Sequence, residues 1–149
     1  MNKLGKVLSI NISEEKGIKK SIENGIFKQD YGLLGDKHCG NHNRQVSLLS
    51  IESIDKIKSL GVEGLCTSKF TENITTQDIV LYDLHVGSKI KIGETIQEIT
   101  QIGKECYSQC EIKAKVDCVM PKEVIFTKVV LGGKIRCNDK IEVIEYINE

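Results

Sequence analysis

Ser88-Lys89-Ile90-Lys91-Ile92-Gly93-Glu94-Thr95-Ile96-Gln97-Glu98-Ile99-Thr100-Gln101-Ile102 is the stretch that decides the fold class. Two short runs rich in β-branched residues flank Gly93-Glu94, a break of the kind that closes a β-hairpin. The pattern recurs downstream, where strands are predicted over Ile125 to Leu131, Lys134 to Cys137 and Lys140 to Tyr146, with Gly132-Gly133 and Asn138-Asp139 as hairpin-like punctuation. Upstream, Lys6 to Ile12 alternates Val7, Ser9 and Asn11 against Leu8, Ile10 and Ile12, giving a first strand with one apolar face. Glu14-Glu15-Lys16-Gly17 reads as a turn, and Lys19 to Tyr31 is highly charged with weak periodicity. Gln45 to Leu49 and Asp78 to Tyr82 are further candidate strands.

One helix interrupts the series. Ser50 is placed to cap it, Ile51, Ile54, Ile57 and Leu60 recur every three residues, Glu52 and Lys56 form an i,i+4 pair, and Gly61 supplies the stop. Pro121, the only proline, shapes a turn before the last strands. Frequent short strands with a single helix predict a mainly β fold, an antiparallel β-barrel with one or a few short helices, rather than a doubly wound α/β sheet.

A chain of 149 residues, 40% of them hydrophobic, is expected to form one domain over residues 1–149. No apolar run is long enough for a membrane span, and Met1-Asn2-Lys3-Leu4-Gly5 opens no apolar signal segment. A cytoplasmic protein is expected, its six cysteines kept as thiols or ligands rather than as a disulfide framework. Lysine plus arginine and aspartate plus glutamate both total 21, with no basic block among aromatics, so nucleic-acid binding is not expected. Arg44 and Arg136 are the only arginines. In a lysine-biased chain Arg44 hints at a planar, bidentate donor for phosphate or carboxylate.

Reactive chemistry is expected in Thr100-Gln101-Ile102-Gly103-Lys104-Glu105-Cys106-Tyr107-Ser108-Gln109-Cys110. Ile96, Ile99 and Ile102 mark a buried strand that Gly103 breaks, so Lys104 and Cys106 should emerge at its end. A nearby ammonium lowers a thiol pKa from its free value near ~8.5, making Cys106 a better nucleophile or soft-metal ligand. Residues alone leave ordinary half-buried thiols, a redox pair and a zinc site open for Cys106 and Cys110. Their spacing is not CxxC, and Cys118 with His38, His42 or His85 would have to complete a zinc shell.

Gly35-Asp36-Lys37-His38, Arg44-Gln45-Val46-Ser47-Leu48-Leu49, Phe70 to Thr76, Thr100 to Cys110, Asp117-Cys118-Val119-Met120-Pro121 and Ile125-Phe126 through Gly132-Gly133 together resemble, in that order, the MOSC domain. The family takes its name from the C-terminal domain of molybdenum cofactor sulfurase. The resemblance runs from about Gly5 to Val143 and matches the short stand-alone bacterial type, so pyridoxal phosphate is not expected on this chain.

The resemblance implies a barrel that handles the molybdenum (or tungsten) pterin cofactor, held transiently, or the sulfur destined for it. It places the family cysteine at Cys106, which in larger relatives carries a sulfane sulfur as a persulfide or ligates the metal. Arg44, Lys104 and His38 would bind the pterin phosphate, against a structural alternative in which Arg44 pairs with Asp36 or Glu72. Asn73 and Ser47 would hydrogen-bond the pterin ring or phosphate, or Asn73 would satisfy only loop backbone groups. Asp36 would form a turn and shape the pocket, and His38 would act as acid, base or ligand. Cys110 is a resolving thiol or a packing residue. Core packing is favoured for Cys118; Cys39, Cys66 and Cys137 are incidental thiols, and His42 and His85 surface residues.

Three functions follow. The first is a cofactor or sulfur carrier for molybdoenzyme maturation, with a cysteine desulfurase or a molybdoenzyme apoprotein as partner. The second is a small cofactor-dependent reductase of N-hydroxylated compounds with a separate electron donor. The third is a non-catalytic zinc or thiol binding module.

Overall fold

At Gly93 the chain reverses with φ +55, a left-handed conformation that glycine adopts without strain, and Ile92 pairs with Thr95 across it. This two-residue hairpin joins β7 (Lys89–Ile92) to β8 (Thr95–Ile102) in a computed structural model that describes residues 4–15, 18–59, 72–104, 120–145 and 147. Before it come β1 (Leu4–Glu15), β2 (Ile18–Ile22), β3 (Asn24–Lys28), β4 (Gly32–Leu33), β5 (Val46–Ser50), helix α1 (Ile51–Ser59) and β6 (Ile74–Gln77). After it come a helical turn α2 (Met120–Glu123), β9 (Ile125–Leu131), β10 (Gly133–Arg136) and β11 (Lys140–Glu145).

The strands close into a barrel in the order β1, β11, β7, β8, β9, β5, β6 and back to β1, with β2 added outside β1. β10, β3 and β4 form a second, smaller sheet. The barrel differs from a purely antiparallel one at a single ladder, for β5 and β6 run parallel. The connection through α1 returns the chain to the same end of the barrel, which is the crossover that parallel neighbours require. Val7, Ile10, Val46, Leu48, Ile74, Ile90, Ile99, Ile125, Val129 and Ile141 fill the interior.

Four strand-level expectations are corrected. Lys6 to Ile12 does not keep one apolar face: Val7 and Ile10 are buried while Leu8 is exposed. Val7 pairs with Thr76 and Ser9 with Thr75, so Leu8 is the extra residue of a β-bulge and the phase flips there. The charged stretch from Lys19 to Tyr31 contains β2 and β3, whose inward residues are Gly25 and Phe27. Glycine adds no apolar signal, so the period of two was hidden. Asp78 to Tyr82 is not a strand, because β6 ends at Gln77 and Asp78 takes φ +67; Ile79 and Leu81 are still buried. Gly132-Gly133 and Asn138-Asp139 do not close hairpins but carry the chain into and out of the smaller sheet, where β10 pairs with β3. A Cβ at Gly132 would lie 2.8 Å from the Phe27 carbonyl oxygen, so close backbone passage explains that glycine.

The helix forms, but the expected Glu52–Lys56 pair does not, because Glu52 Oε2 accepts from the Asp78 amide at 3.3 Å and Lys56 turns to Glu123. Ser50 Oγ accepts from the Ser53 amide at 3.0 Å as an N-cap; Leu60 and Gly61 lie outside the described residues. Ser53 Oγ donates to Glu123 Oε1 at 2.6 Å, and Lys56 Nζ donates to both Glu123 oxygens at 3.2 Å, docking α1 on α2. The Glu123 hydrogen bond raises the Lys56 pKa above its ordinary 10.5. A raised ammonium contributes stability that is fully present below the unfolded value and lost as pH climbs through the folded one. Lys56→Met is therefore expected to cost under about 1 kcal/mol, equally at pH 7 and pH 9, with the difference from wild type shrinking above pH 10.5; urea denaturation at the three pH values checks this.

Candidate functional site

A second bulge builds the site. Along β8 the side chains of Thr95, Gln97 and Ile99 enter the barrel, where Thr127 Oγ1 donates to Gln97 Oε1 at 2.5 Å and Gln97 Nε2 to Thr95 Oγ1 at 3.1 Å. Ile99 pairs with Thr127, but Gln101 pairs with Phe126, so Thr100 is extra. The bulge returns Ile102 to the core side, where it packs against the cluster, and turns Gln101 out to the rim. Thr100 Oγ1 donates to the Phe126 carbonyl at 3.1 Å and also bonds the Asn43 carbonyl, tying the polar loop that follows β4 to this end of the barrel.

Arg44 stands where that loop enters β5. Its Nε donates to Gln101 Oε1 at 3.0 Å and its guanidinium carbon lies 4.9 Å from the centre of the Phe126 ring. Gln101 Nε2 in turn donates to the Gly103 carbonyl at 2.8 Å. Gly103 takes φ +84 and its amide donates to the Val124 carbonyl at 2.6 Å, after which Lys104 leaves the strand. No carboxylate of a described residue forms an ion pair with Arg44. The alternative pairing partners are engaged elsewhere: Asp36 accepts from the amides of Ser13 at 2.8 Å and His38 at 3.0 Å, and Glu72 Oε2 accepts from Thr75 Oγ1 at 2.6 Å.

The other expected site residues divide into three groups. Asp36 is buried and brackets the turn after Gly35, whose φ is +90, while His38 projects into solvent with Nδ1 3.7 Å from Asp36 Oδ2. Ser47 and Asn73 are buried and committed to each other. Asn73 Oδ1 accepts from the Ser47 amide at 3.0 Å and hydroxyl at 3.3 Å, the Asn73 amide nitrogen donates back to Ser47, and Asn73 Nδ2 donates to the Asn11 carbonyl at 3.3 Å. Cys106 and Cys110, with Cys66 and Cys118, lie outside the described residues. Cys39 and Cys137 are half-buried free thiols. Cys137 Sγ sits 3.6 Å from the Ile22 carbonyl, and the Cys39 thiol, by hydrogen bonding and charge, raises the Tyr31 phenol above its ordinary pKa.

His42, expected only as a surface residue, is exposed but pins the loop. Its Nδ1 accepts from the Arg44 amide at 3.0 Å and its Nε2 faces the His38 carbonyl at 2.9 Å. A backbone amide can only donate and a carbonyl only accept, so these contacts suit the tautomer that carries its proton on Nε2. Gln101, Phe126 and Thr100 were likewise not singled out. Their signal was the three-residue spacing of Ile99 and Ile102, which cannot stay on one face of a strand unless a bulge intervenes; Ile96, expected to be buried with them, instead faces away between buried Thr95 and Gln97.

A separate cleft of about 350 Å³ opens at the other end of β8, around Glu94, Arg136, Asp139 and Lys140. Its charges are partly matched internally, with Arg136 Nη1 3.6 Å from Glu94 Oε2. No group of three or more His, Cys, Asp or Glu side chains among the described residues is arranged to hold a metal, and none of their helices is long and apolar enough to cross a membrane.

The closed barrel with its single parallel ladder among the described strands defines the fold class. The MOSC domain model matches residues 35–142, and the chain belongs to that family. MOSC domains are associated with molybdenum cofactor chemistry. The YuaD protein from Bacillus subtilis is similar in fold, with a TM-score of 0.77 at 20% identity over 97% of each chain. YiiM from Escherichia coli gives 0.62 at 15% identity, covering 100% of this chain and 73% of its own. YiiM from Geobacillus stearothermophilus gives 0.63 at 16%, covering 95% and 75%. No curated protein matches the sequence.

Proposed function

We propose that this MOSC protein is a carrier in molybdoenzyme maturation, holding the molybdenum (or tungsten) pterin cofactor or the sulfur destined for it. The observation that carries the reading is Arg44. It is an arginine without a carboxylate partner among the described residues, linked through Gln101 to the Gly103-Lys104 exit of β8. A guanidinium held this way fits a terminal phosphate, the anionic end of the pterin cofactor. Arg44 and Lys104 would hold that phosphate, with the exposed His38 ring beside the same loop. The bound cofactor would supply a metal open to soft sulfur ligands. Ser47 and Asn73 support the reading by rigidifying β5, the strand that Arg44 leads into.

Cys106, two residues beyond Lys104, is the proposed reactive thiolate. As a sulfur carrier it attacks the outer sulfur of a partner desulfurase persulfide, forming its own S–S bond as the donor cysteine leaves as thiolate, so no outside oxidant or reductant enters. Cys110 is the proposed resolving thiol. Arg44→Ala is expected to weaken cofactor binding by about 10- to 100-fold without unfolding the barrel, since the side chain is exposed and its loss removes charge-assisted hydrogen bonds. Affinity of the purified cofactor for wild type and variant, measured anaerobically by fluorescence, checks this; equal affinity would remove Arg44 from the site.

A further inference from the structure

We infer that Gln101 and Phe126 are positioning residues that fix Arg44 as an end-on fork for a terminal oxyanion, an inference resting on the reading of Arg44 as the anion-binding group. Gln101 cannot present either face of its amide at will. The Gly103 carbonyl only accepts, so the group 2.8 Å from it is the amide nitrogen, and the oxygen must face Arg44 Nε. With Nε occupied, the side-on edge of the guanidinium is closed. The edge formed by the two terminal nitrogens is left, and it matches two oxygens of one phosphate monoester or carboxylate.

Phe126 sets the second coordinate. Its buried ring underlies the guanidinium at 4.9 Å, which fixes the plane of the fork and strips water from one face. Both residues owe their placement to the bulge at Thr100, since Gln101 is paired with Phe126 only because Thr100 is skipped in the register. A purely structural Gln101 would tie the loop to β8 and leave anion affinity alone, so the two roles separate by experiment.

The chain holds two arginines, Arg44 and Arg136, so its Nε–H proton–nitrogen correlations are few and Arg44→Lys assigns them. Inorganic phosphate is titrated into wild type, Gln101→Met, Gln101→Glu, Phe126→Leu and Arg44→Lys. In wild type the Arg44 Nε–H signal exchanges slowly with water and moves with phosphate. Gln101→Met is expected to speed that exchange and weaken phosphate about tenfold, and Phe126→Leu to weaken it about threefold. Gln101→Glu restores the slow exchange, because a carboxylate also accepts from Nε, yet still weakens phosphate by neutralising the fork. Phosphate affinities within twofold of wild type in Gln101→Met and Phe126→Leu, with the Arg44 signal unchanged, would overturn the positioning role. If Arg44→Lys binds phosphate as wild type does, or wild type binds none, the oxyanion reading beneath it fails instead.

Discussion

Cys106→Ala is expected to abolish transferable sulfur or cofactor retention, whichever the protein carries, while leaving the urea midpoint where it was. The core that holds the barrel is made by side chains such as Ile10, Leu48, Ile99 and Val129. Cys106 is not among those described, and Lys104 stands two residues before it in the sequence. An ammonium beside a thiol favours the thiolate, the species that attacks sulfur or coordinates a soft metal, and this is the role proposed for Lys104. Cys106→Ser should be as inactive as the alanine variant, since a hydroxyl does not ionise at neutral pH. Lys104→Met should slow alkylation of Cys106 severalfold at pH 7 and not at pH 10, where the thiol is ionised without help. Native mass spectrometry of protein purified without oxygen from a host that makes the pterin reads the main outcome. Mass of the whole cofactor lost in Cys106→Ala supports a cofactor carrier, and added sulfur alone supports a persulfide relay. Retained transfer by Cys106→Ala would exclude Cys106 as the carrier.

Runs rich in β-branched residues and bounded by clean turns were legible without coordinates. β8 and β9 match their predicted bounds, Gly93-Glu94 closes its hairpin, and Ser50 caps α1. What alternation could not show was where it breaks. The bulges at Leu8 and Thr100 invert the facing of everything beyond them, and a bulge leaves only an off-phase spacing as its trace. The parallel β5–β6 ladder depends on where a crossover lands, which no local pattern encodes. In the site, Arg44 stood out because arginine is scarce here, whereas Gln101 and Phe126 are ordinary strand residues until the register sets them against it. Asp36 was legible as a turn former because Gly35 precedes it, and its two amide contacts fit that reading.

Asn73→Ala is expected to cost about 2–4 kcal/mol of stability, more than any rim substitution, with anion affinity kept. The Asn73 side chain receives the amide and hydroxyl of Ser47 and donates to the Asn11 carbonyl, and all three residues are buried. Truncation leaves the Ser47 amide without that acceptor where water does not reach, and an orphaned buried donor costs about 1–3 kcal/mol by itself. It also frees β5 from the residue that opens β6, the one parallel ladder of the barrel. Asn73→Asp gives a sharper signature. An aspartate retains the acceptor for Ser47, but it can donate to the Asn11 carbonyl only when protonated, and burial, with no cation among the described residues bonded to this side chain, disfavours its charge. Its folded pKa is therefore raised, so its stability should be greatest below the ordinary aspartate range near ~3.9 and fall as pH rises toward 7. Urea denaturation of both variants at pH 4 and pH 7, beside phosphate titration of folded Asn73→Ala, separates a staple from a ligand. A variant that stays within about 1 kcal/mol of wild type but binds phosphate tenfold more weakly would make Asn73 a binding residue and not the clasp between β5 and β6.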